Sequence, residues 1–244
     1  NLVDWYLDVL RKYKDKLLDI TRYIVADAWF SKAKFVNEAC LLGFHVLSRL
    51  RDDAALWYSH NGVRTGKRGR PRIKGEKIDF EKLDLQRCEK LDMEGGRAYS
   101  VKAYSKAMKR NIKVLVHYPE SGGHKIYFST NLDMSDKDII EYYRKRFQIE
   151  FCFRDSKQFT GLKDCQARDL RKPDFAFNAS PASVNIAKVM RKRYYPSLSI
   201  RLLKNCLSNT YMLKRILSKS GMKPNRTFNT KLIKELFGIA AEAA

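Results

Sequence analysis

Apolar residues near the start of the chain recur every three or four positions, which is the spacing of one face of an α-helix. This pattern predicts an amphipathic helix over residues 2–18. A short apolar run at residues 22–26 follows it and stops at Asp27. Because this run is rich in β-forming residues, we expect a strand there.

A second helix and a second strand are predicted directly after Asp27. Ser31 is a candidate N-cap for a helix that ends at Gly43, and residues 44–50 form another strand-like run. A strand, a helix and a strand in close succession imply a right-handed parallel crossover. Asp27 is then expected at the carboxyl end of a parallel strand, where open α/β sheets bind their ligands.

Beyond residue 50 the pattern changes to loops and antiparallel strands. Residues 61–76 are basic and rich in glycine, which predicts a mobile surface loop. The strand candidates are residues 97–105, 112–118 and 124–130, and the sequence Glu-Ser-Gly-Gly joins the last two as a hairpin-type connection. We therefore expect an antiparallel, β-rich insertion in this part of the chain.

The last part of the chain is predicted to be mainly helical. Ser135 is the expected N-cap of one long helix, which reaches Phe159 and closes at Gly161. Further helices are expected to start at Ser180-Pro181, at Ser197 or Leu198, and at Thr230.

The chain is strongly basic along its whole length. Its 49 Lys and Arg residues outnumber its 27 Asp and Glu residues and leave a formal net charge of +22. Such a field attracts polyanions, so a nucleic acid is the leading partner; a ribosomal-type scaffold or a basic surface kept for solubility are the alternatives.

No apolar run is long enough to span a membrane, so we expect a cytoplasmic protein without a membrane partner. The five cysteines lack zinc-ligand spacing.

The predicted long helix carries one carboxylate among cations. At about 100° per residue, Tyr143, Arg146, Glu150 and Lys157 fall on a stripe about 60° wide, and Arg154 joins that side. Apolar residues occupy the other faces, so the helix is expected to be largely buried. Glu150 can hold a divalent cation there while the neighbouring cations bind phosphate oxygens. From the pattern alone, ion pairs of Glu150 with Arg146 and Arg154 explain these residues equally well.

The spacing Tyr143-x2-Arg146-x3-Glu150-x6-Lys157 resembles the Y-x2-R-x3-E-x6-K signature of bacterial insertion-sequence transposases of the DDE type. The segment Val-Ala-Asp-Ala-Trp-Phe around Asp27 is similar to the strand that carries the second aspartate of that family. A long β insertion between the second aspartate and the glutamate is also typical of that family.

The resemblance implies a cut-and-paste transposase whose ribonuclease-H-like core holds two Mg²⁺ ions between three carboxylates; Mn²⁺ can substitute. By position, Asp27 is similar to the second aspartate and Glu150 to the glutamate, so both are the expected catalytic residues and metal ligands. Arg146, Lys157 and Arg154 are expected at DNA phosphates, and Tyr143 either binds a phosphate or packs beside it. The implied partner is double-stranded DNA, at the transposon ends and the target, with a homodimer in a synaptic complex left open.

The sequence departs from the family pattern before Asp27. The first catalytic aspartate should lie on an earlier strand, and no strand is predicted before residue 22. The acidic residues of the opening helix are expected to be solvated: Asp4, Asp8, Asp15 and Asp19. The chain also begins with Asn1 and opens directly into a helical pattern. We therefore expect an N-terminally truncated polypeptide that carries two of three ligands and cleaves DNA poorly.

Two further features are open to more than one interpretation. The sequence Arg68-Gly69-Arg70-Pro71 resembles the core of an AT-hook, in which Arg68 and Arg70 enter a minor groove. A loop that contacts phosphates without reading sequence is the favoured explanation. Trp29 can stack on a base at a distorted DNA end, but packing in the core is the commoner role of such a residue.

The sequence thus predicts an α/β protein with an incomplete ribonuclease-H-like core, a β-rich insertion and a helical C-terminal part. The expected regions are residues 1–50 for the second half of the core sheet, 51–134 for the insertion, 135–170 for the signature helix and its loop, and 171–244 for the C-terminal helices. The expected activity is Mg²⁺-dependent DNA cleavage and strand transfer at insertion-sequence ends, in the bacterial cytoplasm and at the nucleoid. The main alternative is a non-catalytic DNA-binding remnant of a decayed transposase; a weaker one is a different metal-dependent nuclease.

Overall fold

The computed structural model describes residues 1–60, 74–93 and 95–219. The chain divides into two compact units, Asn1–Arg146 and Phe147–Ala244, and each unit is described by itself. The first unit is a mixed α/β structure built on one sheet, and the described part of the second unit is helical.

The first helix follows the apolar spacing of the sequence. Helix α1 spans Leu2–Leu18, and the side chain of Asn1 caps it by accepting a hydrogen bond from the Val3 backbone N–H at 3.1 Å. Val3 and Leu7 are buried because residues four apart lie on the same face of a helix. The predicted helix over residues 2–18 is confirmed.

The predicted parallel crossover is confirmed. Strands β1 (Tyr23–Val25) and β2 (His45–Leu50) are parallel neighbours, and helix α2 (Ala33–Leu41) lies between them in the chain. The predicted cap was wrong: α2 begins after Lys32, which makes no side-chain cap hydrogen bond. The hydroxyl of Ser31 is already used, because it donates to the Ala28 carbonyl at 2.7 Å and closes a short 3-10 turn.

The strands of the described residues form one eight-stranded sheet. The remaining strands are β3 (Leu56–Ser59), β4 (Lys74–Lys77), β5 (Glu89–Met93), β6 (Gly96–Ser105), β7 (Arg110–Pro119) and β8 (Lys125–Ser129). The order is β1-β2-β8-β7-β6-β3-β4, and β5 pairs with β6. The three predicted strands are confirmed as β6, β7 and β8. Because β8 pairs antiparallel with β2, the β-rich segment continues the sheet that ends beside Asp27.

The prediction of a surface loop over residues 61–76 is wrong for its last three residues, which lie in the edge strand β4. This strand pairs antiparallel with β3. A Cβ atom at Gly75 would lie 3.2 Å from the Tyr58 carbonyl oxygen, so glycine allows the two backbones to approach closely. Apolar spacing misses such a strand because edge pairing depends on backbone hydrogen bonds. Residues 61–73 lie outside the described part of the chain.

Helices cover both faces of the sheet. Helices α1 and α2 pack on one face, over a large core that includes Val36, Val114 and Phe128. Helix α3 (Asp136–Lys145) packs on the other face, through Ile139 against Leu47 and Leu115. As predicted, Ser135 caps α3, since its hydroxyl accepts a hydrogen bond from the Asp138 N–H at 3.1 Å.

The single long helix predicted over residues 135–161 is two helices. Helix α4 spans Gln148–Phe159 and is separated from α3 by a short interruption. There the Arg146 N–H donates to the Tyr143 carbonyl, three residues back, in place of the four-residue bond of an α-helix. Side-chain spacing does not reveal this break, because Phe147 keeps near-helical dihedral angles of φ −63° and ψ −15°. Gly161, with a φ of +76°, ends α4 as predicted.

Two longer helices follow in the second unit. Helix α5 spans Arg171–Tyr194 and helix α6 spans Ile200–Lys219. The predicted start of α5 at Ser180 was wrong, because the Asp169 carboxylate accepts a hydrogen bond from the Arg171 N–H at 3.0 Å and begins the helix earlier. Pro181 therefore lies inside α5. The helix predicted at Thr230 falls outside the described residues. No helix within the described ranges is long and apolar enough to cross a membrane.

Candidate functional site

Asp27 lies two residues beyond β1, at the carboxyl end of that parallel strand, as predicted. The parallel pairing continues past the strand, because the Ala26 N–H donates to the Leu47 carbonyl at 3.0 Å. Asp27 is exposed, and its Oδ1 accepts a hydrogen bond from the Trp29 backbone N–H at 3.0 Å. Its Oδ2 accepts no hydrogen bond from the described residues. One carboxylate oxygen thus shapes the turn, and the other is available to a ligand.

Trp29 itself packs beside the core, as the favoured interpretation expected. It is half-buried against the large core cluster, and its ring lies 4.9 Å from that of Phe30 in an edge-to-face arrangement. The ammonium of Lys32 lies 3.6 Å from the centre of the Trp29 ring, a close cation–π contact. The turn after Asp27 is therefore held by both packing and hydrogen bonds.

Ser48 fixes the backbone at Asp27. Its side chain is fully buried, and its Oγ–H donates a hydrogen bond to the Asp27 carbonyl oxygen at 2.6 Å. The same carbonyl accepts the Phe30 N–H at 3.1 Å. Sequence reasoning missed Ser48, although a hydroxyl inside an apolar strand is a weak signal that a nearby polar group must satisfy it.

Arg49 is the next residue of β2 and was also missed. It lies opposite Tyr127 of β8, and its Nε is buried without a hydrogen-bond partner among the described residues. Burial raises the pKa of the Tyr127 hydroxyl, and the positive charge of Arg49 opposes that rise. A buried guanidinium nitrogen without a partner is costly, so Arg49 is a candidate to bind an anionic oxygen of a ligand. The signal in the sequence was a lone arginine within an apolar strand.

Tyr143 of α3 packs on the same face of the sheet. Its ring lies 4.9 Å from the Tyr127 ring in an edge-to-face arrangement. The guanidinium of Arg146 lies 5.9 Å from the centre of the Tyr143 ring, within cation–π range. Tyr127 therefore connects Arg49 with Tyr143. The aromatic body of Tyr143 has a packing role, and a phosphate contact through its hydroxyl stays a prediction.

The signature residues do not form one face of a single helix. Tyr143 is on α3 and Arg146 lies at the interruption, whereas Glu150, Arg154 and Lys157 share one face of α4 by their spacing. This face is opposite the buried side of α4, which contains Asp155 and Ser156. The predicted stripe is therefore divided between the two helices.

Helix α4 is more exposed than predicted. Phe147, Ile149, Phe151 and Phe153 are between 37% and 58% exposed. Part of the contact between α4 and α5 is polar: the Ser156 carbonyl accepts a hydrogen bond from the Ser180 hydroxyl of α5 at 3.3 Å. The prediction of a largely buried helix was wrong, because the buried residues of α4 are Asp155 and Ser156. Phe153 stays 37% exposed although its ring lies 6.2 Å from that of Phe177 in α5.

Arg154 pairs with its neighbour Asp155. The Arg154 Nη2 and the Asp155 Oδ1 are 3.0 Å apart, and the side chain of Asp155 is only 7% exposed. The Arg154 guanidinium also lies 5.0 Å from the centre of the Phe151 ring. Because its charge is partly neutralised, Arg154 is a weaker phosphate-binding candidate than the exposed Lys157.

The remaining predicted site residues, including the two expected metal ligands, are distributed as follows. Arg68 and Arg70 lie outside the described residues. Asp27 belongs to the first unit and Glu150 to the second. In residues 1–60, 74–93 and 95–219, no group of three or more His, Cys, Asp or Glu side chains is close enough together to hold a metal ion.

A mixed sheet with an aspartate beyond the carboxyl end of a parallel strand, and with helices on both faces, is consistent with a ribonuclease-H-like nuclease domain. A family model described as a transposase DDE domain matches residues 5–177, and the chain belongs to this family. Its members are transposases, enzymes that act on DNA and generally use divalent metal ions. No curated protein matches the chain.

Proposed function

We propose that this chain is part of a bacterial insertion-sequence transposase of the cut-and-paste type, which cleaves DNA at insertion-sequence ends and transfers the strands in a Mg²⁺-dependent reaction. The reaction would take place in a synaptic complex of two copies. The proposal is carried by two features that occur together within the matched residues 5–177. There, Asp27 follows a parallel strand, and Tyr143, Arg146, Glu150 and Lys157 have the signature spacing.

Asp27 and Glu150 are the proposed metal ligands. Both are exposed carboxylates, and their oxygens are the hard donors that Mg²⁺ and Mn²⁺ prefer. Since the Trp29 N–H occupies Oδ1 of Asp27, Oδ2 is the proposed donor. Divalent ions held in such a site activate the attacking oxygen and stabilise the leaving oxygen of a phosphodiester.

The cations of the chain would bind and orient the DNA. Lys157 lies two helical turns after Glu150 on the exposed face of α4, so it can neutralise a phosphate next to a metal ligand. Arg49 has a buried Nε without a partner in the described chain, and a phosphate oxygen would satisfy it. Arg146, beside the Tyr143 ring, is the third proposed phosphate contact.

We propose that the third carboxylate comes from a strand outside these residues, which pairs with the outer edge of β1. Strand β1 is the terminal strand of the sheet order, so that edge can accept another strand. The acidic residues of α1 are poor substitutes. Asp4 forms an ion pair and a hydrogen bond with Lys34, which lower the pKa of Asp4, and Asp8 pairs with Arg11 at 2.8 Å.

Cleavage assays on DNA that carries the matching insertion-sequence ends test the proposal. In Mg²⁺ or Mn²⁺, we expect the 244-residue chain to be nearly inert and a version extended upstream to cleave. In the extended protein, Asp27→Asn and Glu150→Gln should abolish cleavage but retain DNA binding, because both preserve shape and remove the charge that holds the metal.

Asp8→Asn is the matched control, since it removes a surface carboxylate of α1 and should cleave normally. An extended protein that binds DNA without cleaving would instead support the non-catalytic remnant. If the 244-residue chain cleaves as well as the extended protein, the proposal of an incomplete catalytic domain is wrong.

A further inference from the structure

A second basic surface lies where α5 ends and α6 begins, beyond the residues that the family model matches. Residues 175–219 contain no Asp or Glu and nine cations: Lys188, Arg191, Lys192, Arg193, Arg201, Lys204, Lys214, Arg215 and Lys219. None of the nine forms an ion pair with a carboxylate of the described residues. We propose that the α5–α6 corner, formed by Lys192, Arg193, Tyr194, Arg201 and Lys204, binds the backbone of double-stranded DNA.

The corner is a well-defined piece of structure. A short connection joins the two helices, and in it the Leu198 N–H donates to the Tyr195 carbonyl at 3.1 Å. Leu198, Ile200 and Leu203, in and just after the connection, are buried. The polar groups face outward: all four cations of the corner are exposed, and Tyr194 is 65% exposed. The charged side chains of the corner are therefore exposed to solvent, while the apolar side chains of the connection are buried.

Helix stability does not explain all of these charges. Cations in the last turn of α5 interact favourably with the negative end of its helix dipole. Arg201 and Lys204 lie at the start of α6, where the positive end of the dipole opposes them, and the first turn of α6 contains no acidic residue. Since Ser199 caps α6 by accepting the Leu202 N–H at 3.2 Å, these cations are not needed to start the helix. No carboxylate of the described residues pairs with Arg201 or Lys204, so both charges are available to an anionic ligand.

The chemistry of the corner fits duplex DNA. Lysine and arginine neutralise phosphates and release condensed counterions, and a tyrosine hydroxyl can donate a hydrogen bond to a phosphate oxygen. Such contacts position a duplex without reading its sequence. The inference rests on the proposed function only in that DNA is the substrate. It adds a surface, made of residues other than Asp27 and Glu150, that would hold flanking or target DNA.

Fluorescence anisotropy with a labelled duplex of unrelated sequence tests the inference on the full chain, in salt from roughly 50 to 200 mM. Combining Lys192→Gln, Arg193→Gln and Arg201→Gln should weaken binding at least about tenfold and lower the slope of log K against log salt by about 2 to 3 units. The matched control combines Lys12→Gln, Lys16→Gln and Lys82→Gln, which remove the same charge from exposed positions of the first unit. Equal losses in the two variants would show that only net charge matters and would overturn the inference.

Lysine acetylation footprinting checks the same surface in the unsubstituted protein. Duplex DNA should protect Lys192 and Lys204 from acetylation but leave Lys12 reactive; unchanged reactivity of all three overturns the inference. Stronger binding to anionic lipid vesicles than to DNA would also overturn it, because the partner would then be a membrane surface. These results are independent of catalysis. If Asp27→Asn left cleavage intact in the extended protein, the catalytic proposal would fail, but the inference that the α5–α6 corner binds DNA would still hold.

Discussion

The buried hydroxyl of Ser48 donates a hydrogen bond of 2.6 Å to the backbone carbonyl of Asp27 and so ties the turn after β1 to the neighbouring strand β2. The Asp27 carboxylate is held by the same turn, through the Trp29 N–H. A residue of this kind would act on the proposed metal ligand Asp27 through its backbone rather than by touching the substrate. Ser48 is therefore a proposed positioning residue.

Ser48→Ala should reduce the free energy of unfolding by about 1 kcal/mol, as expected for loss of one buried hydrogen bond. It should also slow single-turnover cleavage by the extended protein at saturating DNA, because Asp27 is held less firmly. Urea unfolding and quench-flow assays measure the two effects. Ser105→Ala is the control: Ser105 is buried and accepts the Met108 N–H at 3.3 Å, so only stability should fall. Cleavage at the normal rate by Ser48→Ala would rule out the positioning role.

Arg49→Met should weaken DNA binding without lowering the free energy of unfolding. The substitution removes a buried Nε that has no partner in the described chain, so the free energy of unfolding should stay the same or rise. If Arg49 binds one phosphate, DNA affinity should fall and the salt slope should decrease by about one unit. Anisotropy titrations at several salt concentrations measure this slope. Arg51→Met, at an exposed position two residues further on, is the comparison, and an equal change in both variants would argue against a specific contact.

The ion pair of Lys113 and Asp136 should be important for stability. The Lys113 Nζ and the Asp136 Oδ1 are 2.8 Å apart, and each side chain is 13% exposed. The Ser100 hydroxyl also donates to Asp136 at 2.7 Å, so the start of α3 is anchored to the sheet. Lys113→Met should lower the free energy of unfolding by about 3 kcal/mol, because it leaves a nearly buried carboxylate unpaired.

Denaturant unfolding measures that loss, and Lys90→Met is its control. Lys90 pairs with Asp92 on the surface, with side chains 65% and 93% exposed, so its removal should cost less than about 1 kcal/mol. A similar, small effect of both substitutions would mean that the buried pair does not anchor α3.

Acidification should destabilise the first unit through two histidines. Burial lowers the pKa of His45, with smaller effects of Arg22 and Arg110, and burial also lowers the pKa of His117. Since the unfolded chain then binds protons more readily than the folded one, this stability is fully present above the ordinary value of 6.5 and is lost as the pH falls below it. The combination of His45→Gln and His117→Gln should flatten the dependence of unfolding free energy on pH between about 7 and 5. An unchanged pH dependence in the double variant would contradict this prediction.

Asp27 and Glu150 are expected to converge on shared ions. In a crystal structure of the extended protein with Mn²⁺ and DNA, their carboxylates should lie about 4 to 8 Å apart, close enough to hold a pair of ions. Glu150 facing solvent on the far side of the sheet from Asp27 would contradict the proposed metal site.

Local sequence patterns were sufficient where an element is defined by its own side chains. Helix α1 was predicted from its apolar repeat, whereas β1 and β2 were predicted from short runs of β-forming residues. The Glu-Ser-Gly-Gly connection between two strand-like runs predicted the hairpin of β7 and β8. The same reasoning failed at β4, which pairs through its backbone, and at the break before α4, where the dihedral angles stay close to helical. It also failed at the start of α5, which depends on Asp169 rather than on Ser180 and Pro181.

The sequence by itself determined the charge of the protein, the position of Asp27 after a strand, and the signature spacing from Tyr143 to Lys157. Only the tertiary structure showed that Ser48 holds the Asp27 backbone, that Arg49 faces Tyr127, and that the strands after residue 50 continue the same sheet. The physical reason is the range of the interactions. Helical and strand periodicity depend on residues a few positions apart, whereas the hydrogen bond of Ser48 to Asp27 joins residues 21 positions apart and the register of Arg49 with Tyr127 depends on how distant strands pair.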